Sequence, residues 1–116
     1  MMYKQGDIVI IPFPFSDLSQ KKKRPALVIS NNEYNEKTED ILVTAITSKI
    51  STKDFTIDLD NDSLESGYLK YKSQIRADKI YTISKRIILK KYASVKVKII
   101  QSVIQKVNEL LNDGNK

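Results

Sequence analysis

The β-branched residues Ile, Val and Thr make up 29 of the 116 residues of this chain, and they fall in short runs. Side chains branched at Cβ are stiff at χ1 and pack well on a pleated surface, so this load favours strands over helices. The runs are DIVIIPFPF over 7–15, PALVIS over 25–30 and DILVTAITS over 40–48. A shorter one follows at 55–59, where Phe55, Ile57 and Leu59 alternate at period two. Further runs cover 71–77, 79–83 and 87–95. Short strands with turn signals between them read as a small barrel or sandwich. Pro12 and Pro14 cannot donate to a ladder, so that end of the first strand is expected at an edge or an exit into a loop. Gly6 can supply the turn before it.

The connections are polar. SDLSQKKKR over 16–24 reads as a basic loop, NNEYNEKTE over 31–39 as a plain connection, and DLDNDSLESG over 58–67 as an acidic one. The tail changes period. Ile100, Val103, Ile104, Val107 and Leu111 recur at helical spacing, which predicts one amphipathic helix over 97–112 with Gly114 just past its end. Its start is weakly marked, because Ser94 has no Glu three residues on to complete a capping box. The expectation is a single domain over 1–116, mainly β, closed by a C-terminal helix.

Composition removes whole classes of chemistry. Without cysteine there is no disulfide, zinc–thiolate site, iron–sulfur cluster or thiol nucleophile. Without histidine the commonest general base and metal ligand is missing, and a Ser-His-Asp triad cannot form. Catalysis is left to Arg, Lys, Ser, Thr, Tyr, Asp or Glu, with no metal and no cofactor expected. No apolar run approaches the ~20 residues needed to span a bilayer. The opening MMYKQGDIVI is too short and too quickly acidic for a signal peptide. A cytoplasmic protein with no membrane partner is expected. Lys and Arg exceed Asp and Glu by 20 to 14, a net charge of +6. The excess is segregated into a block at 21–24 and another over 85–98, with an acidic span at 54–65 between them. Segregated positive charge suits a polyanion, although solvated faces of a lysine-rich chain give the same pattern.

Three motifs carry a resemblance. GDIVIIPFPFSDLSQKKKRPALVISN resembles the N-terminal motif of the MazF/PemK family of toxin endoribonucleases, a Gly-Asp strand start followed by a basic loop ending in Arg-Pro and a Val/Ile-rich strand. ILVTAITSKI is similar to the family's second motif, and KSQIRADKIYTISKRI to its Gln-X-Arg-X-X-Asp segment. Arg-Pro before an apolar strand is common, but the three in series, in this order and across nearly the whole chain, are specific. The resemblance implies an SH3-like small barrel with a C-terminal α-helix, a homodimer, and a cognate antitoxin as partner. It also implies sequence-specific cleavage of single-stranded RNA without metal, by attack of the 2′-hydroxyl on the adjacent phosphate.

The resemblance assigns Arg24 and Thr47 as catalytic. A guanidinium offers paired donors to phosphate oxygens. A threonine hydroxyl can hydrogen-bond the scissile phosphate or the 2′-oxygen, and Ser48 beside it can do the same. Alternation puts Val43, Ala45 and Thr47 on one face and Leu42, Thr44, Ile46 and Ser48 on the other, without saying which faces a substrate. Lys21, Lys22 and Lys23 form a candidate phosphate clamp, with Ser16 in the same loop and Phe15 at its base as either a stacking ring or core. Gln74 and Arg76 flank Ile75. Gln74 is expected to read a base edge, and Arg76 either to join the RNA-binding face or to hold the turn at Asp78. Some relatives carry an acid immediately before this Gln and an arginine two residues further upstream. Here those positions are Ser73, counted with Gln74 among the RNA-binding candidates, and Tyr71, so no carboxylate base is available there. Tyr68, Tyr71, Tyr81 and Tyr92 are expected to pack rather than stack on bases. The alternatives are a gyrase-targeting toxin of the same fold and a non-catalytic RNA-binding barrel.

Overall fold

The computed structural model describes residues 2–13 and 22–114. Among them seven antiparallel strands form one sheet: β1 (Asp7–Phe13), β2 (Lys22–Val28), β3 (Asp40–Thr47), β4 (Thr56–Leu59), β5 (Leu64–Ser66), β6 (Ser73–Ser84) and β7 (Lys90–Val95), in the order β4-β6-β3-β2-β1-β7-β5. Helices α1 (Asn32–Lys37) and α2 (Val97–Leu111) complete the fold.

The sheet curls. Every strand contributes to one apolar cluster, which includes Ile8, Leu27, Ile46, Leu59, Leu64, Ile75 and Ala93, and α2 closes it with Ile100 and Val103. The two edge strands β4 and β5 are joined by a single short turn, Asn61–Ser63, capped by the Asp60 carboxylate. The opposite face of β1, β2, β3 and β6 carries a second cluster built on Val9, Ala26, Val28, Ile41, Val43 and Ile83. Strand alternation feeds both: Ile8 and Leu27 point one way, Val9 and Val28 the other. Burying one such aliphatic side chain is worth about 1.5–3 kcal/mol.

The expected mainly β domain with a C-terminal helix is what forms, with four departures. Lys22, Lys23 and Arg24 belong to β2 rather than a loop, because their backbones pair with Phe13, Pro12 and Ile11. Pro12 is tolerated there because β7 pairs with β1 only as far as Ile10, leaving that side of β1 without a ladder. The polar connection at 31–39 holds α1, started by Asn31, whose side chain accepts from the Tyr34 N–H. The acidic connection holds β5. The two runs at 71–77 and 79–83 are one strand, β6, whose register against β3 jumps from Arg76 to Ile80 as β3 steps from Ala45 to Thr44. Residues 77–79 are extra on β6, and the Ala77 N–H turns to the Phe55 carbonyl instead.

In α2 the buried stripe is Ile100 and Val103, with Ile99 and Val107 packed beside them, while Leu111 stays in solvent. Its N-cap is Lys96 rather than Ser94, and no side chain caps it. The Gly-Asp pair at the start of β1 is a locked turn. Gly6 takes φ +96°, Asp7 is buried, and its carboxylate accepts from the Lys4 N–H and pairs with Lys91 at 3.3 Å.

Candidate active site

β2 and β3 are hydrogen-bonded from Val28↔Val43 to Ala26↔Ala45 and then part. Pro25, which has no N–H, sits where the ladder stops. Carried two residues further, the same register sets Arg24 opposite Thr47. The space between the strands is a cavity of about 250 Å³ lined by Arg24, Thr47, Arg76 and Lys79 over an apolar floor that includes Ile11, Phe13, Ala26 and Ala45. Among the described residues its lining holds three cations and no acid.

Arg24 is held at this mouth by aromatic contact. Its guanidinium carbon lies 5.7 Å from the centroid of the Phe13 ring, a cation–π distance. Phe13 in turn meets Tyr81 edge-on, with centroids 6.1 Å apart. The Arg24 side chain is exposed, and no ion pair among the described residues engages it. The guanidinium is therefore poised but uncommitted, as an anion site needs. The Thr47 hydroxyl accepts from the Lys49 N–H at 3.0 Å, which leaves its proton to donate.

Arg76 points into the same cavity but is already paired. Its Nε and Nη2 each donate to a different oxygen of Asp78 at 3.1 Å. These bonds from Arg76 hold the Asp78 carboxyl below the usual carboxylate range, against the opposing effect of its partial burial. This fork spans the β6 bulge, which gives Arg76 the turn-holding role. Gln74 departs from the expected base reader. Its amide is buried, accepting from the Ser51 N–H and donating to the Ser51 carbonyl, both at 3.0 Å, with a further bond to Asp58 at 3.2 Å. An amide spent on the backbone of residues 48–55 has no edge left for a base. Ser73 is buried and donates to the Tyr71 carbonyl at 3.0 Å.

Lys23, Ser48 and Ser73 lie across the sheet from Thr47. They line a second cavity of about 350 Å³ that shares Arg24, Pro25 and Ile46 with the first. Lys22 is exposed opposite Phe13. Phe15, Ser16 and Lys21 lie outside the described residues. Phe13, Lys79 and Tyr81 join the cavity without belonging to any assigned set. Pairing would have found Phe13, which lies two residues beyond Ile11, the partner of Arg24. Among the described residues no three His, Cys, Asp or Glu side chains converge as a metal site, and no helix is long and apolar enough to cross a membrane.

Solved structures share this architecture. A MazE–MazF complex from Deinococcus radiodurans superposes with a TM-score of 0.80 at 22% identity, covering 96% of this chain and 97% of the other. MazF alone from the same organism gives 0.76 at 24%, again over 96% and 97%. An endoribonuclease in complex with its cognate antitoxin from a mycobacterial species gives 0.74 at 16%, covering 98% and 99%. These identities speak to the fold. No curated protein matches the sequence. Residues 4–111 match the family described as PemK-like, MazF-like toxin of type II toxin–antitoxin system. With that match across almost the whole length, the chain belongs to the PemK/MazF family of type II toxins.

Proposed function

We propose that this toxin is a metal-independent endoribonuclease that cuts single-stranded RNA in the cytoplasm, acts as a homodimer, and is silenced by a cognate antitoxin. The observation that carries the reading is the meeting of an uncommitted Arg24 and a donor-ready Thr47 on one cavity whose described lining is cationic. The solved relatives support it too, since they include an endoribonuclease with its antitoxin and a MazE–MazF complex.

The chemistry follows from the groups. The 2′-oxygen attacks phosphorus, the P–O5′ bond breaks, and the products are a 2′,3′-cyclic phosphate and a 5′-hydroxyl. Negative charge builds on the non-bridging oxygens as the phosphorane forms. Arg24 donates to those oxygens in a fork and Thr47 adds a third donor. Preorganised donors aimed at developing charge are worth about 3–4 kcal/mol each. Among the described residues no carboxylate lines the cavity, and water takes the 2′-hydroxyl proton. The leaving 5′-oxygen takes its proton from water or through Arg24.

The test is to incubate the purified protein with mixed-sequence RNA in EDTA and sequence the new ends. Cuts at restricted sites leaving 5′-hydroxyls are expected. Arg24→Ala should lose cleavage and keep its fold. A wild type that binds RNA but never cuts it would leave a binding module, and inhibition of a topoisomerase in place of cleavage would point to the gyrase-directed alternative.

A further inference from the structure

The second cavity is not an extension of the catalytic one. It opens on the other face of the sheet, and Arg24 stands on the ridge between the two. Its outer wall is the loop 67–72, and on that loop stands Tyr71, with 63% of its surface exposed. A lone exposed tyrosine is unremarkable. This one stands on an anchored main chain. Leu69, two residues earlier, is buried and gripped by Asn61, which accepts from its N–H at 2.6 Å and donates to its carbonyl at 3.2 Å. The Tyr71 carbonyl is tied to the buried Ser73 hydroxyl. Backbone bonds on both sides thus anchor the main chain that carries this ring, and the core does not use the ring. The Lys70 ammonium lies 5.7 Å from the ring centroid, and Lys23 lines the same space from β2.

An exposed aromatic ring on an anchored backbone, flanked by cations and next to a site for phosphate, suits a stacked base. Every base has a π-face, and the flanking phosphate needs positive charge. The volume, about 350 Å³, falls within the range of roughly 300–1,000 Å³ usual for small-ligand pockets.

We infer that this cavity is a nucleobase subsite: it seats the base of a nucleotide flanking the phosphate held at Arg24, stacked on Tyr71, with Lys23 and Lys70 neutralising the adjoining phosphate. The inference rests on the endoribonuclease reading. It makes Tyr71 a determinant of where RNA is held, not a catalytic residue.

The test uses a fluorescent, mixed-sequence 2′-O-methyl RNA, which cannot be cut, in anisotropy titrations of the full-length protein, beside cleavage-site mapping on ordinary RNA. Tyr71→Ala should bind the probe roughly 5- to 100-fold more weakly, the loss expected for one stacked base, and should redistribute the cleavage sites. Tyr71→Phe keeps the ring and should bind as wild type. Tyr68→Ala removes an equally exposed ring, 69% accessible, that lines neither cavity, and should change nothing. Lys23→Gln should lower the slope of log affinity against log salt by about 0.7. If Tyr71→Ala matches wild type in both affinity and cleavage sites, or if wild type does not bind the probe, the subsite is wrong. If wild type cuts no RNA while Tyr71→Ala still weakens the probe, the endoribonuclease reading falls and the base subsite stands.

Discussion

The Gln74 amide closes a ring with the backbone of Ser51, taking its N–H and giving to its carbonyl as a neighbouring strand would. Residues 48–55 carry no ladder of their own, so this side chain substitutes for one. It fixes the chain that leaves Thr47 for Phe55, where a non-glycine residue takes φ +63°. Gln74→Ala should therefore cost about 1–3 kcal/mol, the penalty for stripping partners from a buried polar site, and it should speed hydrogen exchange selectively over 48–55. RNA cleavage should fall as well, because Thr47 and Ser48 border the freed segment. Unchanged exchange in that segment with reduced RNA binding would instead restore Gln74 as a base reader.

Thr47 has one oxygen and two tasks. The oxygen accepts from Lys49, and the proton is left for phosphate. Thr47→Ser retains both and should stay within a few-fold of wild type in kcat/KM. Thr47→Val keeps the β-branched shape and loses both. Its kcat should drop by about 10²- to 10³-fold, the usual consequence of deleting one charge-stabilising donor, with little change in RNA affinity. A drop confined to KM would mean that the hydroxyl only binds substrate.

Much of this was legible in the chain. The runs at 7–13, 25–30, 40–48 and 55–59 alternate or stay apolar because one or both faces of their strands are buried, and burial is what periodicity records. The helix over 97–111 was visible for the same reason. Arg24 and Thr47 came from motif likeness, and the register then brought them together on one cavity. What stayed hidden depends on backbone pairing. Lys22–Arg24 look like a loop because their side chains are charged, yet ladder bonds use only main-chain groups. The three surplus residues of β6 are signalled by no composition, since a bulge is a mismatch with a partner strand. Gln74 and Gln in a base-reading role look identical in sequence, and only the proximity of Ser51, 23 residues away, separates them. Tyr68 and Tyr71, expected to pack, instead stand exposed, because the path of the 67–72 loop and not the residue type decides whether a ring is covered.

Asp78 gives the fold a pH-dependent component with a definite sign. Hydrogen bonds from Arg76 lower its carboxyl below the unfolded value of about 3.9. A depressed carboxylate stabilises the native state above that unfolded value and loses the contribution as pH falls through the lower native value. Asp78→Asn should thus destabilise by about 1 kcal/mol at pH 7, and the gap to wild type should close as both proteins are acidified below pH ~4. Denaturant titrations at pH 7 and in the acid range measure it. A gap independent of pH would mean that the β6 bulge is held by packing and not by this ion pair.

Thr44 is the reverse case, a polar group the fold would do better without. It is fully buried in β3, and among the described residues its hydroxyl has no hydrogen-bond partner. It pairs across the ladders with Leu27 and Ile80, so its surroundings are apolar. An unsatisfied buried hydroxyl costs about 1–3 kcal/mol. Valine has nearly the same shape and the same preference for strands. Thr44→Val should therefore stabilise the protein by about 1 kcal/mol and raise Tm by about 4 °C. Thr44→Ala, which also removes the orphaned oxygen, should not gain, because it leaves a void in a close-packed layer. Thermal unfolding of the three proteins side by side decides it. A Thr44→Val variant less stable than wild type would show that the hydroxyl is satisfied in solution by a buried water.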